Sequence, residues 1–338
     1  MDDQNTRIIE RLLASPDPCI RYKISTRVLG EKPDSERAIP LAKKVLISER
    51  TQKMLSLRGR DGRFPGSPYA KYTGAHWVLT VLADMAYPPG DTSLLPMRNQ
   101  VYEKWLAPAH CAERIVEKEA PRYKSRPGVP VIQGRPRRCA SQEGNALWAT
   151  LALGIADERA EQLAQNLLRW QWPDGGWNCD RKAEAINSSF LESLAPLRAL
   201  FLYGRVHDNR KCIAAAERAA EIFLKRNLFK KQSDGSVIKE DFIKLHYPCF
   251  YQYDVLQSLK VMAETGHIGD PRCQDALDLL ESKRLPDGGF PAERKHYRAN
   301  DEPIHGGTLV DWGGTSRKTS NDFVTVDALY VLSASGRI

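Results

Sequence analysis

The sequence predicts an all-α fold, an α/α toroid or (α/α)6 barrel of about six helix pairs, with residues 1–338 forming one domain. Three observations lead there. The same helix, turn, helix unit recurs at an interval of roughly 50 to 60 residues, the signature of a repeat architecture. Asp-Gly turns punctuate the repeat at Asp61-Gly62, Asp174-Gly175-Gly176, Asp234-Gly235 and Asp287-Gly288-Gly289, where glycine accepts positive φ without strain. The connections alternate strictly between short and long.

The first member of each pair is expected near 3–14, 36–56, 92–106, 157–170, 211–226 and 271–284. These segments mix apolar and charged residues, as helices with one wet face do. The second members are expected near 18–30, 73–86, 141–154, 187–204, 247–265 and 320–335. Several are apolar nearly all round, such as AHWVLTVL from Ala75 and ALWATLAL from Ala146. Such helices belong inside, so the reading is an inner ring wrapped by an outer one. Asp17-Pro18 supplies a cap and a first-turn proline. Asn187 or Ser188 is the expected cap of the fourth inner helix.

Inner-to-outer links are short, while outer-to-inner links run over 57–72, 107–140, 171–186, 227–246 and 285–319. In an alternating ring all the long links share one end with the N-termini of the inner helices. Long ordered loops on a rigid scaffold are where function concentrates. They carry 23 Lys and Arg against 15 Asp and Glu, an excess equal to the whole chain's net charge of +8. Helix dipoles add positive potential there, so an anionic ligand is expected. The alternative is a set of solvated loops that are basic by chance.

Composition excludes several classes. The 42% hydrophobic content supports a large core, and no apolar run reaches the length of a membrane span. The N-terminus lacks the pattern of a signal peptide, so a cytoplasmic location is expected. The seven cysteines include no C-x-x-C pair, which argues against a disulfide framework or a ribbon-type zinc site.

QWPDGGW at Gln171–Trp177 resembles the repeat motif of squalene-hopene cyclases and other terpenoid cyclases. LPDGGF from Leu285 and GRDGRF from Gly59 are weaker copies. IQGRPRRCASQEGNALW, Ile132 to Trp148, resembles the β-subunits of protein prenyltransferases. Both families imply a toroid of six helix pairs. The cyclase resemblance implies that Gln171 and Trp177 brace neighbouring repeats. The prenyltransferase resemblance implies that the basic stretch helps to hold an isoprenoid diphosphate. The acid motif D-x-D-D of class II cyclases is absent. Ser141 and Glu143 stand where the prenyltransferase Asp and Cys zinc ligands would be. His246 and Cys249 alone do not make a zinc site. No metal and no cofactor are therefore expected.

Arg135, Arg137 and Arg138 precede an inner helix and form the expected clamp for an anionic head group, since guanidinium forks bind phosphate and carboxylate bidentately. A carboxylic acid among aromatic rings has its pKa raised and acts as a general acid. Asp254, in HYPCFYQYD, is the first candidate, with Glu143 and Asp180 beside it. His246, Tyr247 and Tyr251 are expected to face the ligand, and Trp312 to lie in a lid. The leading function is a terpenoid cyclase or prenyltransferase-like protein taking an isoprenoid or other apolar, anion-headed ligand, with acid-initiated chemistry if it is an enzyme. The alternatives are a glycan-active lyase or hydrolase, with Trp172 and Trp312 stacking on acidic sugars, and a non-catalytic binder of an anionic ligand. Nucleic acid is a less favoured partner.

Overall fold

The computed structural model describes residues 3–116 and 127–338. Residues 117–126, part of the 107–140 link, lie outside the described residues. The chain is helix-rich, with short strands confined to the long links. The order is α1 (Asp3–Leu13), α2 (Pro18–Arg27), α3 (Ala38–Leu46), α4 (Glu49–Leu55), α5 (Ala75–Asp84), α6 (Leu95–Trp105) and α7 (Pro108–Cys111). Next come β1 (Glu113–Ile115), β2 (Val129–Ile132) and β3 (Arg135–Pro136), one small sheet in that order. They are followed by α8 (Ser141–Ala152), α9 (Arg159–Trp170), α10 (Phe190–Val206), α11 (Arg210–Leu224), α12 (Val255–Glu264) and α13 (Gln274–Glu281). A two-stranded pair, β4 (Arg298–Ala299) and β5 (Gly307–Thr308), precedes α14 (Asp322–Ala334).

The apolar segments are indeed the interior ones. Every residue of α5 from Ala75 to Ala83 is buried, as is every residue of α8 from Glu143 to Thr150. By contrast, α9 buries one face through Leu163, Leu167 and Trp170, and α11 one through Ala216, Ala219 and Phe223. The interior helices contact one another in sequence: α5 with α8, α8 with α10, α10 with α12, α12 with α14, and α14 with α2. The α8–α10 contact is close at Gly144, where a Cβ would sit 2.5 Å from the Pro196 backbone nitrogen.

Three turns share one backbone pattern. The N–H groups of Gly59, Trp172 and Leu285 reach the carbonyls of Arg63, Gly176 and Gly289 at 2.8, 2.7 and 2.9 Å. Gly62, Gly175 and Gly288 donate back to Gly59, Trp172 and Leu285, and all three have positive φ. Gln171 donates to Ala215 O at 2.8 Å and so ties its turn to α11. Trp177 is fully buried and donates to Leu167 O in α9.

Several expected boundaries shift for identifiable reasons. The 36–56 segment divides into α3 and α4, because Ser48 starts a new helix by accepting the Thr51 N–H. The expected helix 247–265 begins only at Val255, where Asp254 caps it through the Gln257 N–H at 2.7 Å. Residues 247–253 are non-helical and fold into the interior. Neither Asn187 nor Ser188 caps α10; Ser188 instead donates to Asp174, securing the turn before it.

Long links meet one another. Tyr72 N–H bonds Gly307 O, Glu293 N–H bonds Leu245 O, and Trp172 Nε1 bonds Pro136 O. These contacts join 57–72 with 285–319, 285–319 with 227–246, and 171–186 with 107–140.

Between the helices lies a buried charge network that crosses the interior. Lys23 of α2 pairs with Asp327 of α14 at 2.7 Å. Lys260 of α12 pairs with Asp84 of α5 at 2.7 Å and Asp327 at 2.9 Å. Arg198 of α10 pairs with Glu264 and lies over the Trp148 ring of α8 at 3.5 Å. Three cations thus face three carboxylates, which is why their burial is tolerable. Burial works against charge on Asp84, yet Lys260, Lys23 and Arg198 outweigh it and hold the carboxyl far below its ordinary range.

Candidate functional site

Above this network the interior is filled by the segment preceding α12. Phe250, at φ +46°, stacks on Tyr72 with centroids 3.8 Å apart. Its carbonyl accepts the Asn145 side-chain amide at 3.0 Å. Two cavities of about 20 Å³ each flank it, room for about one water apiece. The first is lined by Met54, Tyr72, Trp77, Phe250, Val310 and Trp312. The second is lined by Asn145, Leu194, Arg198, Cys249, Phe250 and Tyr251.

Asp254 is wholly buried and fully engaged. Its Oδ1 accepts the Gln257 N–H, while Oδ2 accepts the His246 backbone N–H at 2.9 Å and lies 2.7 Å from His246 Nδ1. A carboxylate with these contacts is a helix cap and a histidine holder. The titrating group beside it is His246. Burial opposes its charge, but Cys249 and Asp254 outweigh burial and raise its pKa well above the ordinary value. Its Nε2 has no hydrogen-bond partner among the described residues.

Glu143, the second expected acid, is paired as well. Arg138 donates to it through Nε at 2.9 Å and also through Nη2. Burial alone would raise this carboxyl; Arg138 and His110 outweigh it and hold the group below the usual range. Glu143 is thus engaged as the partner of Arg138. Asp180 is an exposed turn carboxylate accepting the Lys182 N–H at 3.0 Å, so it does not point into the interior.

The three arginines do not converge. Arg138 is spent on Glu143. Arg137 is buried over Trp172 and donates to Ala185 O at 2.7 Å. Arg135 is half-buried, with its guanidinium 5.8 Å from the same ring. Because Trp172 is buried, it offers no face to a sugar. Trp312 is likewise no surface lid: it is buried against Tyr247 and Phe323, and Arg50 lies 4.9 Å over its ring. Tyr247 is sealed in the core, stacked on Phe323 at 4.6 Å, and burial pushes its phenol well up. Tyr251 does line a cavity, and its hydroxyl accepts Lys71 Nζ at 3.0 Å.

Glu192 is the group that sequence reading undervalued. It is buried, and burial raises its carboxyl above the ordinary value. Its partners are Ser141 and Cys179. Donor atoms gather at two places among the described residues, Cys139 with Cys179 and Glu192, and His246 with Cys249 and Asp254. Ser141 and Glu143, where the prenyltransferase resemblance would put metal ligands, are engaged with Glu192 and Arg138 and do not form a third.

No protein-family profile matches the chain, and no curated protein matches it. Solved structures do show likeness. A type II terpene cyclase, MstE from Scytonema, is 16% identical over 86% of this chain and 96% of its own, with a TM-score of 0.31. A variant of that cyclase in complex with geranylgeranyl dihydroxybenzoate matches at 15% identity over the same shares of both chains, with a TM-score of 0.31. A protein from Actinoplanes is 14% identical over 99% of this chain and 100% of its own, with a TM-score of 0.46. All three TM-scores lie below 0.5, so the likeness decides neither fold family nor ligand nor chemistry. No helix among the described residues is long and apolar enough to cross a membrane.

Proposed function

We propose that the chain closes as a single α/α toroid and takes an isoprenoid or similarly apolar, anion-headed ligand into its interior. One observation carries this reading. Phe250 lines both gaps, the first of them largely aromatic and aliphatic and the second mixed with Asn145, Arg198 and Gln257, and its backbone holds a left-handed conformation unfavourable for a bulky residue. Displacing it joins the gaps. The buried Trp312 Nε1–H, which lines the first gap, has no acceptor among the described residues, and an oxygen-bearing ligand would supply one. Lys71, held by Tyr251 at the rim of the second gap, is the cation placed for an anionic head. His246, held by Asp254 with its Nε2 unpartnered among the described residues, takes over the acid role from Asp254 and Glu143.

The test is titration with farnesyl diphosphate, farnesol and pyrophosphate, read by tryptophan fluorescence from Trp77 and Trp312. Farnesyl diphosphate should bind best, and Phe250→Ala should tighten it while circular dichroism stays unchanged. If neither form binds any of the three, the reading fails.

A second reading, a glycan-active protein, draws on a different place. An open groove of about 510 Å³ is lined by Asp17, Glu49, Arg50, Lys53 and Asp311, bringing three carboxylates together. Binding of oligouronates, lost on Lys53→Ala and indifferent to Phe250→Ala, would favour it.

A further inference from the structure

The cluster of Cys139, Cys179 and Glu192 has no part in the proposed ligand site. The three residues come from separate segments: the end of the 107–140 link, the 171–186 link and the first turn of α10. One donor atom from each, two sulfurs and a carboxylate oxygen, lies within 4.8 Å of the others. Both cysteines are free and half-buried, which leaves a path from solvent. Glu192 is 8% exposed. Its Oε2 accepts the Ser141 backbone N–H at 3.1 Å and the Ser141 hydroxyl at 2.8 Å. Those two bonds fix the carboxyl plane and turn Oε1 toward Cys179, whose Sγ lies 3.3 Å away. A ligand carboxylate oriented by hydrogen bonds on its outer oxygen is the arrangement that tunes metal sites.

We propose that Cys139, Cys179 and Glu192 bind a zinc ion through two thiolates and Glu192 Oε1, with Ser141 as the positioning residue. Sulfur and carboxylate donors suit zinc, with Zn–S near 2.3 Å and Zn–O near 2.0 to 2.2 Å. Binding displaces the two thiol protons to solvent. Three protein donors leave the fourth tetrahedral position to water, the arrangement of an open rather than a closed structural site. The other gathering of donors, at His246, Cys249 and Asp254, is a poorer choice. Both Asp254 oxygens are already occupied, and a metal there would have to break the cap of α12.

The experiment starts from full-length protein stripped with chelator and kept reduced. Zinc chloride is titrated in, bound metal is counted by elemental analysis, and cobalt(II) is substituted to read thiolate-to-metal charge transfer. One equivalent of zinc and a charge-transfer band are expected. Cys139→Ser or Cys179→Ser should abolish both. Ser141→Ala should weaken zinc binding about 10- to 100-fold with unchanged circular dichroism, a loss that a purely structural serine would not cause. Wild-type protein that takes up no zinc overturns the proposal. So does zinc that survives replacement of both cysteines, or is lost instead with Cys249→Ser. A Cys139–Cys179 disulfide found by mass spectrometry, in protein that binds no zinc once reduced, also overturns it and assigns the pair to redox chemistry.

Discussion

Replacing Asp84 by asparagine removes one charge from the buried network and leaves three cations facing two carboxylates. Asp84 lies 2.7 Å from Lys260, 3.6 Å from Arg198 and 3.9 Å from Lys23. At an effective dielectric of about 20, a unit pair at 2.7 Å attracts by about 6 kcal/mol before desolvation and the repulsion among the cations are subtracted. What remains on breaking a buried pair from one side is about 3 to 5 kcal/mol. Asparagine keeps the shape and one acceptor for Lys260, so the lower part of that range is expected. The assay is equilibrium urea unfolding at neutral pH, at low and high salt. The loss should be nearly independent of salt, because screening acts weakly on buried pairs. The double variant Asp84→Asn, Lys23→Met restores the balance of charge and should recover part of the loss. A destabilisation below about 1 kcal/mol, the range of exposed ion pairs, would refute the claim that the interior depends on this charge balance.

Three further outcomes are expected. Asp84, Glu143 and Glu264 have carboxyl groups depressed by their cationic partners despite burial, so their contribution is present above the unfolded carboxylate range and lost as pH falls through the depressed values; urea midpoints should drop steeply below about pH 4, and less steeply in Glu143→Gln. His246 has a raised pKa, so its contribution is full below the ordinary histidine value and is lost as pH rises through the folded one; the alkaline fall in thermal midpoint should flatten in His246→Gln. Gly144→Ala puts a Cβ 2.5 Å from the Pro196 nitrogen and should cost about 1 to 3 kcal/mol by overpacking, measured by the same urea titration.

The helix-rich fold was legible because the forces that set it are local and periodic. Apolar residues all round at Ala75–Leu82 and Ala146–Leu153 announced buried helices, and the structure buries the first throughout and the second through Thr150. The Asp-Gly turns announced a repeated element, and three of them share one set of backbone bonds. What escaped was the start of α12. The segment HYPCFYQYD has the apolar content of a helix, but Asp254 makes a better cap than an interior helical residue. Residues 247–253 are released to fill the interior instead. Local hydrogen bonding by an aspartate competes with helix propagation, and only the tertiary surroundings decide which wins.

The site was harder to read because a charged residue's meaning lies in its partner. GRPRR read as three free guanidiniums; five residues after Arg138 stands Glu143, and the helical rise from Ser141 brings that carboxylate back onto the guanidinium. Once the pair forms, Arg138 and Glu143 are each other's partner, so one contact engages two candidates. A signal for the opposite error was present in the inner helices. Arg198 and Lys260 each stand alone in an apolar stretch, in LAPLRALFL and VLQSLKVM, and Lys23 lies between Tyr22 and Ile24. A lone charge on a helix buried all round must meet an opposite charge from another helix or remain unpaired at a cost of several kcal/mol. Asp84 and Asp327, set in apolar stretches of their own helices, meet Lys23 and Lys260, and Glu264 at the end of α12 meets Arg198. The same reasoning applied to Glu192, buried beside two cysteines rather than a lysine or arginine, leads to a metal cation as the charge that its surroundings are built to receive.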